Sequence, residues 1–329
     1  MVREWIFRIN LLLCVLLVLA SSGCVTNPEH SGQNIDVSAT REPILPSPTR
    51  VLAISAGITH SLALREDGTV KAWGSNSSGQ CGVPKNLTNV TGIAAGDGFS
   101  IAVKTDGTVI AWGCAFEPPR LHYNVSAPPG VYSNGSAPCE VPENVKHIRN
   151  VSAGIFHVLA LVDDGSVVAW GINNFGQCDI PPGLKNVTAV SAGDTFSMAL
   201  RDDGSVAVWG WYLGRIPQGT YKGIAAGYNQ GMLLKRDGTL ASFTGAKNND
   251  VPLYHPLLTN VTGISAGHRY FLALLENGSV VEWGYSKTSN YDSFDKKRYR
   301  LRNITAISSQ SWQRLALRDD GTVIEWRQW

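Results

Sequence analysis

Apolar and polar residues alternate with a period near two in short runs along most of the chain, and the runs recur in a fixed order. In Ser61–Arg65 and Thr69–Trp73 the alternation flanks Asp67-Gly68. The enclosing stretch Ser55–Gly74, SAGITHSLALREDGTVKAWG, returns from Ala94, Ser152 and Ser191, and in weaker form from Ala225, Ser265 and Ser308. A repeat of this size decides the fold before any single residue does. The turn pair returns as Asp106-Gly107, Asp164-Gly165, Asp203-Gly204, Asp237-Gly238, Asn277-Gly278 and Asp320-Gly321. Such a pair predicts a two-residue type I′ hairpin, in which both central residues take positive φ.

A second turn is marked by Gly57, Gly96, Gly154, Gly193, Gly227 and Gly267. Each unit then reads as four antiparallel strands: A before this Gly, B after it, C ending in Trp, and D at segments such as Gln80–Pro84. Seven four-stranded units predict an all-β, seven-bladed propeller over residues 42–329. The seventh unit shows no D segment, whereas Ile44-Leu45-Pro46 resembles Gly82-Val83-Pro84 and Asp179-Ile180-Pro181. Glu42–Ser47 is therefore expected to supply the missing strand and close the ring, removing an exposed edge.

The first residues break the pattern. Arg3 and Arg8 precede the apolar run Leu11–Ala20, which is too short to span a bilayer as a helix. Residues 1–23 read as an export signal. Ser21-Ser22-Gly23-Cys24 resembles a prokaryotic lipobox, making Cys24 the lipidation site and residues 24–41 a flexible tether. The expected location is the extracytoplasmic side of the cell envelope, anchored to membrane, with free secretion as the alternative. In that compartment Cys114 and Cys139 are expected to close the inserted loop between them as a disulfide. Charged residues make up 16% of the chain with a net charge of +2, which argues against nucleic acid as a partner.

The unit A-G-x-x-H-S-x-A-L-x-x-D-G-x-V-x-x-W-G, followed by x-N-x-x-G-Q-x-x-V-P, resembles the regulator of chromosome condensation repeat. Gly57, His60, Ser61, Leu64, Asp67, Gly68, Trp73, Gly74, Asn76, Gly79, Gln80 and Pro84 carry the likeness in the first unit. The short V-P linkage is most similar to the secreted bacterial branch, which includes a propeller-type β-lactamase inhibitory protein. The eukaryotic founder is an exchange factor for the small GTPase Ran and binds chromatin, a role at odds with an export signal. The resemblance implies scaffold positions and assigns no functional residue.

The chemistry of the chain points the same way. Trp73, Trp112, Trp170, Trp209, Trp283 and Trp326 share one place on strand C, as inter-blade packing requires. The seven histidines lack metal-ligand spacing, and no nucleophile, phosphate-loop or zinc-hydrolase motif occurs. No catalytic residue, metal or cofactor is expected. Ten Asn-x-Ser/Thr sequons, including Asn89, Asn186 and Asn260 at one repeat position, read as copied turn chemistry.

What varies is the A–B loops. They share a face with the C–D loops, including the 114–138 insertion and the aromatic, basic segment 285–302. Phe156, Tyr228, Arg269, Tyr270 and Trp312 are the expected binding residues, with Phe99 and His157 ranked lower as packed scaffold. The expected function is non-enzymatic binding, by a monomer, of an envelope or extracellular protein or a surface glycan. The alternatives are inhibition of an extracellular enzyme such as a β-lactamase, and a polysaccharide-acting enzyme with a central site.

Overall fold

A computed structural model describes residues 33–35, 49–114, 137–143, 145–211, 215–244, 257–268, 270–285, 294–299 and 301–327. The alternating runs pair into seven antiparallel sheets. After β1 (Gln33–Ile35), the first sheet is β2 (Val51–Ala56), β3 (His60–Arg65) and β4 (Val70–Gly74). The second is β5 (Val90–Ala95), β6 (Phe99–Lys104) and β7 (Val109–Gly113), and the third β8 (Ile148–Ala153), β9 (His157–Val162) and β10 (Val167–Gly171). The fourth is β11 (Val187–Ala192), β12 (Phe196–Arg201) and β13 (Val206–Gly210), and the fifth β14 (Tyr221–Ala226), β15 (Gln230–Lys235) and β16 (Leu240–Thr244). The sixth is β17 (Val261–Ala266), β18 (Tyr270–Leu275), β19 (Val280–Tyr285) and β20 (Phe294–Tyr299), with β1 parallel to β20 at its edge. The seventh is β21 (Ile304–Gln310), β22 (Gln313–Arg318) and β23 (Val323–Arg327).

The core lies in the seams between sheets rather than at the centre. Leu62 and Leu64 of the first sheet pack with Val90, Ala102 and Trp112 of the second. The same arrangement joins Ile101 and Val103 to Val158 and Trp170, Leu159 and Leu161 to Ala199 and Trp209, and Met198 to Leu233 and Phe243. It continues with Met232 and Leu234 against Ala273 and Trp283, and Leu272 and Leu274 against Ala316 and Trp326. Leu315 and Leu317 then meet Val51, Ala63 and Trp73, so the last blade packs on the first. Each fully buried leucine contributes about 1.5–3 kcal/mol.

Polar groups stitch the same seams. The indole N–H of Trp112 donates to the Gln80 carbonyl of the preceding blade at 2.9 Å, Trp170 to Pro138 at 2.9 Å, and Trp209 to Gln177 at 2.8 Å. Two tryptophans find a glutamate instead: Trp73 donates to Glu325 at 2.7 Å and Trp326 to Glu282 at 3.4 Å. Buried Glu282 also receives both Arg314 bonds, at 2.9 and 2.7 Å, and the Tyr299 hydroxyl at 2.8 Å. His60 Nε2 meets Ser100 Oγ of the next blade at 2.9 Å, and His157 meets Ser197 at 2.9 Å. In the last seam Gln313 takes that role, donating to Ser61 Oγ at 2.7 Å.

A third set of bonds comes from the serine of the S-A-G motif. Ser55 accepts from Ala95 N of the next blade at 3.0 Å, Ser152 from Ala192 N at 3.0 Å, and Ser191 from Ala226 N at 2.9 Å. Ser265 accepts from Ser309 N at 2.9 Å, and Ser308 from Ala56 N at 2.9 Å. In blades 2 and 5 the position is Ala94 and Ala225, so two seams lack the bond.

Three expectations need correcting or setting aside. The Asp-Gly connections have three residues, not two: Arg65 N donates to Thr69 O at 2.9 Å and Gly68 N to Arg65 O at 3.0 Å. Gly68 has φ of 73° whereas Asp67 stays out of the left-handed region. This is a type I turn with a glycine bulge, favoured because Asp67 Oδ1 caps Thr69 N at 2.9 Å. The expected D strand at Gln80–Pro84 is a run of turns in which Asn76 Oδ1 accepts from Cys81 N and Gln80 Oε1 from Ser78 N, both at 2.8 Å. These side chains satisfy the backbone locally, and Pro84 has no N–H to offer a ladder. Four strands therefore occur, among the described residues, only in the sixth sheet, with β1 added at its edge. The segment Glu42–Ser47, expected to close the ring, lies outside the described residues, as do Cys24 and residues 1–32.

Asn89, Asn186, Asn260 and Asn303 all have φ of 58°, a left-handed conformation that asparagine tolerates better than most residues. That backbone demand explains why these sequons share one repeat position.

Two outcomes follow for stability. Burial pushes the His60 imidazole down to about 4 and that of His157 to about 3, so both are neutral in the fold. The unfolded chain binds these protons near pH 6.5 and the folded chain does not. Stability should be full above about pH 6.5 and fall toward pH 4, by up to about 1.4 kcal/mol per pH unit for each histidine. The variant His60→Gln/His157→Gln, which copies the glutamine used in the last seam, should flatten this slope in denaturant titrations across that window; an unchanged slope would contradict the assignment. Separately, Ala94→Ser and Ala225→Ser should each restore a seam bond and add about 0.5–1.5 kcal/mol. A lowered melting temperature in both would contradict the serine role.

Candidate functional site

The strand order places the A–B turns of all seven blades on one face, around the mouth of a channel lined by the innermost strands. Small side chains such as Ala56, Ala94, Ala153, Ala192 and Ala226 line the channel wall, leaving a central cavity of about 190 Å³. Main-chain bonds tie the turns together. Ile58 N donates to Gly96 O at 3.3 Å, Asp97 N to Ile155 O at 3.2 Å, Asp194 N to Gly227 O at 3.3 Å, and His268 N to Ser311 O at 3.3 Å. These bonds tie neighbouring A–B turns into a continuous rim whose side chains differ from blade to blade.

Three aromatic residues form an arc on this platform. Tyr228 of blade 5 lies 4.5 Å from His268 of blade 6, centroid to centroid, tilted by 50°. His268 lies 5.6 Å from Trp312 of blade 7, tilted by 41°. Trp312 is 39% exposed, Tyr228 is half-buried, and His268 is buried. Further out, Trp211 is 42% exposed and stacks on Phe175 at 5.4 Å. Trp211 N donates to Thr195 O at 2.9 Å, which fixes it beside the A–B turn of blade 4.

Acidic groups complete the rim. Asp194 lines the cavity. Burial, and secondarily the charge of Asp97, hold its carboxyl well above the usual carboxylate range. Among the described residues, no three His, Cys, Asp or Glu side chains gather in a way that could hold a metal ion.

Of the residues expected to bind, Tyr228 and Trp312 stand together on the arc, and Phe156 is a half-buried rim residue of blade 3. Tyr270 does not face solvent. It is 5% exposed, donates to Gln313 O at 2.8 Å, and carries Arg314 over its ring at 3.8 Å. Its place is the one held by His60 in blade 1, where the chain turns inward to start strand B, so it belongs to the seam. Arg269 lies outside the described residues. Phe99 and His157, each 0% exposed, are seam residues too. His268, Asp194, Phe175 and Trp211 were not singled out by sequence. The first two occupy the opening position of their A–B triplets, and that position is the one that points to the mouth.

Cys114 and Cys139 are joined by a disulfide of 2.08 Å at the base of the insertion, whose residues 115–136 lie outside the described set. Cys81 and Cys178 are free thiols, half-buried in their turns; burial, then Asp179, pushes the Cys178 thiol up to about 12.

The profile of the regulator of chromosome condensation (RCC1) repeat matches residues 51–80, 90–115, 148–177 and 187–211. The guanine nucleotide exchange factor SRM1 of Saccharomyces cerevisiae is 24% identical over 172 residues, 45% of this chain and 32% of that protein. The chain therefore spans about a third of that relative's length. Among solved structures, Prp20p from Saccharomyces cerevisiae, described with its binding to Gsp1p and histones, superposes with a TM-score of 0.61 at 20% identity, covering 79% of this chain and 80% of that one. The CRINKLY WD40 ectodomain of the Arabidopsis thaliana receptor kinase ACR4 gives a TM-score of 0.59 at 19% identity, covering 85% and 98%. At these identities the structural likeness shows the fold alone. Four units between residues 51 and 211 thus match the regulator of chromosome condensation repeat, and most of the chain shares its architecture with these solved structures.

Proposed function

We propose that this chain is an exported, lipid-anchored, non-enzymatic propeller that binds a protein of the cell envelope or its surroundings through the A–B face. The observation that carries the reading is the aromatic arc Tyr228–His268–Trp312, which crosses three blades at the channel mouth. The rings tilt against one another by 50° and 41°, which makes a faceted surface suited to protein side chains rather than a flat platform for a sugar ring. A rigid rim bearing variable aromatics costs little entropy on binding. Relatives of this fold include one described as binding Gsp1p and histones, which supports protein recognition as a use of the scaffold. Export rests on the basic and apolar run before Cys24.

The enzyme reading has one observation in its favour, the neighbouring acids Asp97 and Asp194, of which Asp194 is held protonated more readily than a surface carboxylate. A raised carboxyl beside a second one is a pattern seen in general acids. It ranks second because these acids sit in one repeat position of two A–B turns, with no further group identified to receive a substrate.

The soluble domain, residues 33–329, should capture one saturable protein from envelope extract or culture fluid, identified by mass spectrometry. Tyr228→Ala/Trp312→Ala should weaken capture at least about a hundredfold, as expected when two aromatic anchors are lost, with the melting temperature little changed. Retained capture would exclude this face. Retention on polysaccharide alone would favour a glycan ligand, and polysaccharide cleavage lost in Asp194→Asn would favour the enzyme. An extracellular enzyme captured and silenced would make the chain an inhibitor.

In a bacterial host, full-length protein should incorporate labelled palmitate and sediment with membranes, and Cys24→Ala should lose both. Undiminished labelling of Cys24→Ala would contradict the anchor.

A further inference from the structure

From blade 2 to blade 7 the opening residues of the A–B turns are Asp97, Ile155, Asp194, Tyr228, His268 and Ser311, and Phe156 and Trp312 stand one position further along their turns. The bond from Asp194 N to Gly227 O at 3.3 Å sets the acidic part of the rim directly beside the aromatic arc. Two oxygens at the mouth are buried with no hydrogen-bond partner among the described residues, Asp194 Oδ2 and Ser311 Oγ. Both residues line the central cavity. Ser311 is only 4% exposed and holds a left-handed φ of 48°, unusual for serine. Buried polar groups without a protein partner are costly and rare in folded proteins, and where two of them line one cavity they mark a place for a polar ligand group.

The surroundings say what kind of group. A carboxylate pair favours a positive charge, and the faces of Tyr and Trp attract one as well. The cavity holds about 190 Å³. A cavity of that size, open at the mouth, admits a side chain. The channel wall beneath is built of alanine and serine with Ile93, Val151, Ile224 and Ile264, and no lysine or arginine lines it.

We propose that the mouth receives a single cationic side chain, a lysine or arginine projecting from the protein partner, with Asp194, Asp97 and Ser311 around its charged head and the aromatic arc along its stem. The assignment rests on the binding reading above and deepens it: the arc supplies contact area, and the acids select a positive residue at its edge.

The test uses the soluble domain with Nα-acetyl-lysine methylamide and Nα-acetyl-arginine methylamide as probes and the norleucine analogue as control. The indole N–H resonance of Trp312, identified by its loss in Trp312→Phe, is followed in nitrogen–proton correlation spectra. A saturable shift with at least one cationic probe and none with norleucine is expected. Asp194→Asn, and independently Asp97→Asn, should weaken that binding at least tenfold while the rest of the spectrum stays folded. An equal shift with norleucine, no shift with either cationic probe, or unchanged binding in both aspartate variants would overturn the proposal. If Asp97→Asn/Asp194→Asn keeps partner capture while Tyr228→Ala/Trp312→Ala loses it, the cation receptor is wrong and the binding face stands.

Discussion

A blade of this propeller cannot bury its own faces, and everything else in the structure depends on how the next blade completes it. The central strand of each sheet is buried on both sides only because a neighbouring sheet lies against it. The tryptophan at the end of strand C is the clearest instrument of that completion. Its ring fills the seam, and its N–H needs an acceptor that only the preceding blade can offer. The serine of the S-A-G motif does the same near the channel, and the histidine or glutamine opening strand B does it between them. Repeats that lean on their neighbours in this way are stable as a ring and not singly.

The seams also show how a repeat can change sequence and keep its physics. Where a carbonyl from the Gly-Gln turn is not used, Glu325 and Glu282 present a carboxylate to Trp73 and Trp326. Glu282 then needs compensation of its own, because a buried carboxylate is costly when unpaired. Arg314 supplies it with two bonds, at 2.9 and 2.7 Å, and Tyr299 adds a third at 2.8 Å. An ion pair has thus replaced the contacts by which Ser100 Oγ donates to the Gln80 carbonyl and Ser197 Oγ to the Gln177 carbonyl in earlier seams. This substitution is visible only in three dimensions, since Glu282 and Arg314 belong to different blades and neither position looks unusual in a strand.

The architecture was legible in the chain because a period-two pattern repeated seven times leaves few alternatives. Turn type and strand count were less so. Asp-Gly suits both a two-residue hairpin and a three-residue turn with a glycine bulge, and the choice falls to the Asp67 cap on Thr69 N. Gln80–Pro84 reads as extended, yet Asn76 and Gln80 satisfy its backbone before a ladder can. At the candidate site, loop variability points to Tyr228 and Trp312, and the structure sets both against His268. Tyr270 lies in the seam because the third residue of each A–B triplet turns inward, whereas His268 and Asp194, like Tyr228, open their triplets and line the cavity. One triplet looks like another until the direction of each side chain is known.

Since the seams engage the repeated residues, the side chains that vary at the channel mouth are free to differ without cost to the ring, and the proposed recognition rests on them. The most direct measurement places a photo-crosslinking benzoylphenylalanine at position 312 and, in a second protein, at exposed Glu276 in the B–C turn of the opposite face. Both are irradiated with envelope extract. The account predicts one dominant protein adduct from position 312 and none from position 276. Adducts from position 276 alone would place recognition on the other face and contradict it.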